Sequence, residues 1–437
     1  MSGLVSWWRD SDRRRLPEGT STPLYVSLAL VLLAALGWTL WRDVAYLRTI
    51  PIDDIFAYEC YARAFWRGGA AVVDAPHMRL CANAAFRFWV ARPRAFHTFP
   101  REYPAPALSI FSLPLLAPLA PYNLTWMALM AGLIVAVTVW LARAGLLPCA
   151  GAFALYVVLG GWGTALARFD LVPGLLILAA LALAERRRWA WAYLGLAAAT
   201  ALKFSPVLLV PVLAVHQWRA TGRPPWRGPT LFALATSGAL LPAALIDPTG
   251  FRQPFRYNLA RPPQVESLPG SALWLLGRVG MGGRVRTVLT YHSLNFVGAF
   301  AGVTTALATL LLVGGLLLAL WRAGRGHDGL GRSFVLVVLV TLAGSKLLSP
   351  QYLLWLFPVA AYVEGPRLRW TALAALTVAI FPRAYQMFGL HASLVTLPDH
   401  PPFMTAILAR NAVLLAFTLA YLGARAARKH AVGAPAP

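Results

Sequence analysis

Lysine is nearly missing from this chain. Of 39 basic residues, all but Lys203, Lys346 and Lys429 are arginines. Acidic residues are also scarce, at 16 in 437, which leaves a formal net charge of +23. A charge of that sign suggests nucleic acid, but the sequence contains no compact basic domain that a duplex could contact. Arginines in cytoplasmic loops beside anionic lipid explain the excess better, and a GC-rich genome adds to it. There are three cysteines, too few for a disulfide framework or a zinc cage. Cys60 and Cys81 share a loop, where they either pair or remain two unrelated small apolar residues. The chain has no Walker phosphate loop, no GxGxxG between strand and helix and no nucleophile elbow, which disfavours a nucleotide-driven pump. His391, Asp399 and His400 lack a metal-ligand spacing, so neither a metal nor a cofactor is expected.

Apolar residues are abundant: 59% of the chain is hydrophobic and the mean hydropathy is +0.61. The apolar runs are continuous rather than alternating, which indicates membrane helices of roughly 20 residues rather than strands. The expected fold is an all-α polytopic membrane protein forming a single domain over residues 1–437. About twelve transmembrane helices are expected, at 23–41, 123–142, 148–166, 170–184, 190–202, 204–217, 229–246, 294–321, 332–348, 351–364, 370–383 and 403–424. The first follows a basic flank and shows no cleavage site, so it is expected to stay as an anchor. Residues 104–121 are apolar but carry five prolines, each lacking a backbone donor. That piece is expected to be re-entrant or interfacial.

With that segment uncounted, the arginines of the short connections alternate as the positive-inside rule requires. Both termini then lie in the cytoplasm, and two long loops, 43–103 and 247–293, are extracytoplasmic. The membrane is expected to be the bacterial cell (inner) membrane. This topology gathers Asp53, Asp54, Arg168, Asp170, Lys203, Arg261, Glu266, Lys346 and Gln351 on the outer side or at outer ends of spans. Ionisable groups at membrane depth are costly and usually line a cavity, so the cluster carries more weight than any one member.

Each candidate has two readings. Asp53 and Asp54 open an amphipathic helix. Asp54 either caps it or, at a low-dielectric interface that raises its pKa, serves as a general base for a sugar hydroxyl. Lys203 and Lys346 each precede a Ser-Pro helix start, with Ser as cap and Pro in the first turn. Ammonium, free N–H groups and helix dipole then converge as an anion site, or the lysines simply snorkel. Arg168 and Asp170 read equally well as a local ion pair. Arg261 to Ser267 reads by default as a solvated loop.

Taken together, the motifs resemble a family. These are Asp54-x-x-x-Tyr58, Tyr103-Pro104-Ala105-Pro106, Arg168-Phe-Asp-Leu-Val-Pro173, Gly195 to Pro206, and Ser349-Pro-Gln-Tyr-Leu-Leu-Trp-Leu356. Their ordered set is similar to the bacterial polyprenyl-phosphate-sugar-dependent glycosyltransferases of family 87, which have the C-type membrane fold. The likeness spans roughly residues 53 to 358, and Tyr-Pro-Ala-Pro departs from the more usual Tyr-Pro-Pro. It implies an enzyme that moves a sugar, with mannose or arabinofuranose expected, from a polyprenyl phosphate to an extracytoplasmic glycolipid or polysaccharide with inversion. Asp54 would be the base, with Asp53 beside it. Lys203, Lys346, Gln351 and Arg168 would face the donor phosphate. Asp170, Arg261, Glu266, Tyr352 and Tyr103 are the expected sugar or acceptor contacts. Membrane lipids are the other expected partners. A lipid or small-molecule transporter is the competing reading, since many spans and broken helices suit it too.

Overall fold

The computed structural model describes residues 54–69, 72, 81, 95–96, 98–117, 119–161, 163–281, 283–291, 293–385, 387 and 394–423. The expected first span, Asp53 and His391 lie outside them. What is described is mostly helical. Helix α1 covers Asp54–Arg67, and α2 is a single short helix at Ala107–Phe111. The long series follows: α3 Tyr122–Arg143, α4 Leu147–Gly160, α5 Leu171–Glu185, α6 Trp189–Leu202, α7 Val210–Thr221 and α8 Arg227–Ile246. After α9 Pro248–Ala260 and α10 Leu268–Arg278 come α11 Ala301–Arg325, α12 Leu330–Gly344, α13 Phe357–Glu364, α14 Leu368–Val378 and α15 Pro401–Gly423.

Among the described residues four helices, α3, α8, α11 and α15, are long and apolar enough to cross a membrane. Only 11% of the apolar stretch of α8 and 22% of that of α11 is buried inside the protein. Leu234 and Leu245 of α8 and Leu307 and Leu310 of α11 are more than 60% exposed. Such faces are tolerable in lipid and costly in water. The helices marking the centre are shorter. α5 packs on α6 and α13, and α12 packs on α11 and α15. Residues 334–340 of α12 and 353–361 through α13 are buried without interruption, as expected of helices enclosed on all sides.

Three features differ from the sequence expectation. The run read as one span from 294 begins with strand β2, Ser293–Val297, paired antiparallel with β1, Arg286–Thr290. The all-α expectation therefore omits a hairpin, and the helix starts only at Ala301. The two Ser-Pro segments open as 3-10 turns, Ser205–Leu209 and Pro350–Trp355, before α7 and α13 begin. Pro206 and Pro350 sit in the first turn, but neither serine caps through its side chain. Ser349 instead donates to Gln351 Oε1 at 2.5 Å. The proline-rich 104–121 stretch is broken as expected, into α2 and a 3-10 turn at Leu113–Leu116. The loop expected at 247–293 is largely ordered as α9, α10 and β1, with Asp247 accepting the Thr249 N–H at the start of α9.

Candidate functional site

A cavity of about 1100 Å³ opens where the ends of the helices meet the 248–294 segment. Asp54, Arg168, Lys203, Arg261, Glu266 and Gln351 all line it, although they are scattered through some 300 positions of sequence. Tyr103 and Tyr352 add aromatic wall.

Helix α1 brings Asp54 there. Its buried side carries Ile55, Tyr58, Tyr61 and Ala62, at helical spacing. Tyr58 stacks on Phe111 with ring centroids 4.4 Å apart, and its hydroxyl accepts the Phe169 N–H at 3.2 Å. Tyr61 donates to Glu102 Oε1 at 2.7 Å. A disulfide joins Cys60 to Cys81, so of the two open readings of these cysteines the paired one holds. The Asp-x-x-x-Tyr spacing thus docks one turn of α1 on residues 168–170, and there Asp54 forms an ion pair with Arg168. The local Arg168–Asp170 pair suggested by sequence is replaced by two pairs that reach elsewhere, because Asp170 turns the other way, to Lys203.

Asp170 is fully buried before the first turn of α5. Its Oδ1 accepts from Lys203 Nζ at 2.8 Å and from Trp355 Nε1 at 3.1 Å. The ammonium lies 4.7 Å from the Tyr352 ring centroid, 5.2 Å from Tyr103 and 5.4 Å from Trp355, within cation–π range. Tyr352 and Trp355 stack at 4.7 Å. Burial works against the Lys203 charge, yet Asp170, with help from Tyr352 and Glu102, raises its pKa above the ordinary lysine value. Gly174 makes this assembly possible. A Cβ there would sit 2.1 Å from the Leu354 carbonyl oxygen, so glycine lets α5 touch the 350–355 turn that carries Trp355. Asp170 itself acts from behind the wall and is not among the cavity's lining residues.

The opposite wall comes from the 248–294 segment. Arg261 is buried, donates to Ser293 Oγ at 2.7 Å and lies 5.4 Å from the Tyr257 ring centroid. Glu266 is 2% exposed. Tyr385 donates to its Oε1 at 2.6 Å, and its backbone carbonyl accepts from Arg410 and from Asn411, the latter at 3.0 Å. Burial pushes the Glu266 carboxyl above the ordinary carboxylate range, against the opposing pull of Arg410, Tyr385 and Arg168. The solvated loop expected from residue 261 to 267 is instead packed protein.

Lys346 is not brought into the cavity. Its ammonium donates to the Leu259 carbonyl at 2.7 Å, and its carbonyl accepts the Gln264 N–H at 2.9 Å, so it ties α9 to the turn after α12. The two Lys-Ser-Pro turns therefore part company, one facing the cavity and one bracing its wall. Sequence reasoning also missed Trp355, Glu102 and Gln264. For Trp355 a signal exists, an aromatic three residues after Tyr352 beside a proline turn. Comparison of the chain with family models, curated proteins and solved structures finds no match.

Proposed function

We propose that this chain is a membrane glycosyltransferase that moves a sugar from a polyprenyl-phosphate donor to a glycolipid or glycan hydroxyl, with inversion. The observation carrying the reading is the single cavity shared by a carboxylate, Asp54, and the cations Arg168 and Lys203. Sugar transfer from a lipid phosphate needs both. Asp54 takes the proton of the acceptor hydroxyl, the oxygen attacks the anomeric carbon, and the bond from that carbon to the phosphate oxygen breaks. The electron pair leaves with the polyprenyl phosphate. Negative charge grows on the leaving group in the transition state, so fixed cations near it lower the barrier. Lys203 keeps N–H donors beyond the one used by Asp170, and Gln351 adds a polar contact. Arg168, the ion-pair partner of Asp54, lines the same cavity and would contact that phosphate as well. In the full proposal twelve spans carry the cavity on the extracytoplasmic face, with both termini in the cytoplasm and mannose or arabinofuranose as the sugar.

The test is incubation of purified protein in detergent with labelled polyprenyl-phosphate sugars and a lipid extract, comparing wild type with Asp54→Asn. Product from wild type alone is expected, since removing a general base costs typically 10²–10⁴-fold. Near-normal turnover by Asp54→Asn would refute the base assignment. Flux across a sealed bilayer without product formation would instead favour a transporter.

A further inference from the structure

Between α9 and α10 the chain runs extended against the hairpin. The Phe296 N–H donates to the Pro263 carbonyl at 2.9 Å, the Val265 N–H donates to the Leu294 carbonyl at 3.0 Å, and Gln264 bridges Asn295. The pairing ends at Gln264, where the chain turns and the Ser267 N–H donates to the Gln264 carbonyl at 2.9 Å. Here Val265 enters an apolar cluster with Leu273, Leu294 and Phe296, while Gln264 and Glu266 line the cavity. Both polar residues are buried, at 6% and 2% exposure. Each keeps one acceptor without a hydrogen-bond partner, Gln264 Oε1 and Glu266 Oε2.

Buried acceptors are almost always satisfied, so two unpaired ones on residues that line the same cavity require an explanation. The backbone of both is held in place, and Tyr385 also fixes the Glu266 side chain. Ser267 donates to the Gln264 carbonyl at 2.7 Å and accepts the Gly270 N–H at 3.1 Å. Arg410, Asn411 and Tyr385 hold Glu266. The chemistry that fits is a rigid ligand offering more than one hydroxyl donor.

We propose that Gln264 and Glu266 form the subsite that accepts hydroxyl hydrogen bonds from the sugar of the donor. This rests on the glycosyltransferase reading and adds the part of the cavity that distinguishes a sugar-bearing lipid from bare polyprenyl phosphate. A site built to bind hydroxyls discriminates strongly, because without them its buried polar groups stay unpaired.

The experiment measures the Kd of polyprenyl phosphate, polyprenyl-phosphate mannose and polyprenyl-phosphate arabinofuranose for wild type, Glu266→Gln and Gln264→Asn in detergent. Wild type is expected to bind one sugar-bearing lipid at least tenfold tighter than bare polyprenyl phosphate. Each variant should lose roughly tenfold or more of that preference while keeping its affinity for the bare lipid, which also certifies its fold. Should one variant fail to fold, the other carries the same comparison. Retention of the full sugar preference by the folded variants would overturn the subsite. Equal binding of bare and sugar-bearing lipids by wild type would overturn it while leaving the phosphate reading intact. No binding of any lipid by wild type would overturn the glycosyltransferase reading and the subsite with it.

Discussion

Substitution of Lys203 by Met should destabilise the protein more than its position at the edge of a cavity suggests. The Asp170 carboxylate that it pairs with is fully buried, with Lys203 and Trp355 as its hydrogen-bond donors and Oδ2 unpaired. Removing the ammonium leaves that charge with one indole N–H, and breaking a buried pair on one side costs about 3–5 kcal/mol. Contacts with three aromatic rings are lost as well, but the methionine stem retains part of the packing. Asp170→Asn should cost less, about 1–3 kcal/mol, because the amide oxygen still accepts from Trp355 and the ammonium keeps its aromatic faces and some exposure. The double variant Asp170→Asn/Lys203→Met leaves no uncompensated charge and should be more stable than Lys203→Met alone by about 2 kcal/mol. Denaturant unfolding of the four proteins in one detergent gives the coupling. Stabilities additive to within about 0.5 kcal/mol would refute the pairing. On the proposed function activity should separate from stability here, since the double variant regains stability and still lacks the cation proposed to face the donor phosphate.

Three further outcomes are expected. Gly174→Ala should destabilise by about 1–3 kcal/mol, because its Cβ meets the Leu354 carbonyl at 2.1 Å; an unchanged unfolding midpoint would count against that contact. Cys60→Ser should cost about 3 kcal/mol through loss of a bridge spanning 21 residues, and an equal loss on reducing the wild type would attribute the effect to the bond. Glu266 should leave a pH signature. Its folded pKa is raised above the ordinary 4.5, so just above pH 4.5 the folded state keeps a proton that the unfolded state has released. Stability should therefore rise as pH falls through that window, and Glu266→Gln should flatten the slope; an identical slope in the variant would remove Glu266 as its source. On the proposed subsite, sugar preference should run the opposite way and decline as the carboxyl takes up its proton.

The membrane character and the members of the cavity were legible because charge in an apolar sequence is expensive. A lone Arg168 or Lys203 among leucines and alanines has to be solvated by something, and a shared cavity does so. The pairing of those charges was not legible. Arg168 and Asp170 are adjacent enough to suggest each other, but their actual partners come from α1 and the end of α6, which periodicity does not connect. Lys346 matches Lys203 in local sequence, yet its partner is a backbone carbonyl, about which side-chain identity says nothing. The hairpin was hidden for a related reason. Ser293 to Val297 is apolar enough to extend the following helix run, and only pairing with Arg286 to Thr290 makes it a strand. Gln264 escaped notice because an uncharged side chain raises no alarm in a sequence and becomes conspicuous only once it is buried.

The carboxylates at the two ends of the helices argue that only one end is built for a ligand. Since α5 and α6 pack together through a short connection, Glu185 lies at the far end from Asp170 and Lys203. There Tyr362 donates to Glu185 at 2.7 Å. Asp328 has both oxygens occupied, by Arg322 at 2.6 and 3.0 Å and by Arg332 at 2.8 Å. Glu364 is likewise taken by Arg369, Trp370 and Tyr421. Through Leu422 and Tyr421 the same arginines hold the end of α15, so this network serves as a clamp. At the cavity end Glu266, which lines the cavity, retains an unpaired buried oxygen. A fold that satisfies its acidic groups fully at one end has the means to do so at the other. On the proposed function the difference reflects use: an acceptor held ready at the cavity wall for a hydrogen bond that a bound substrate supplies.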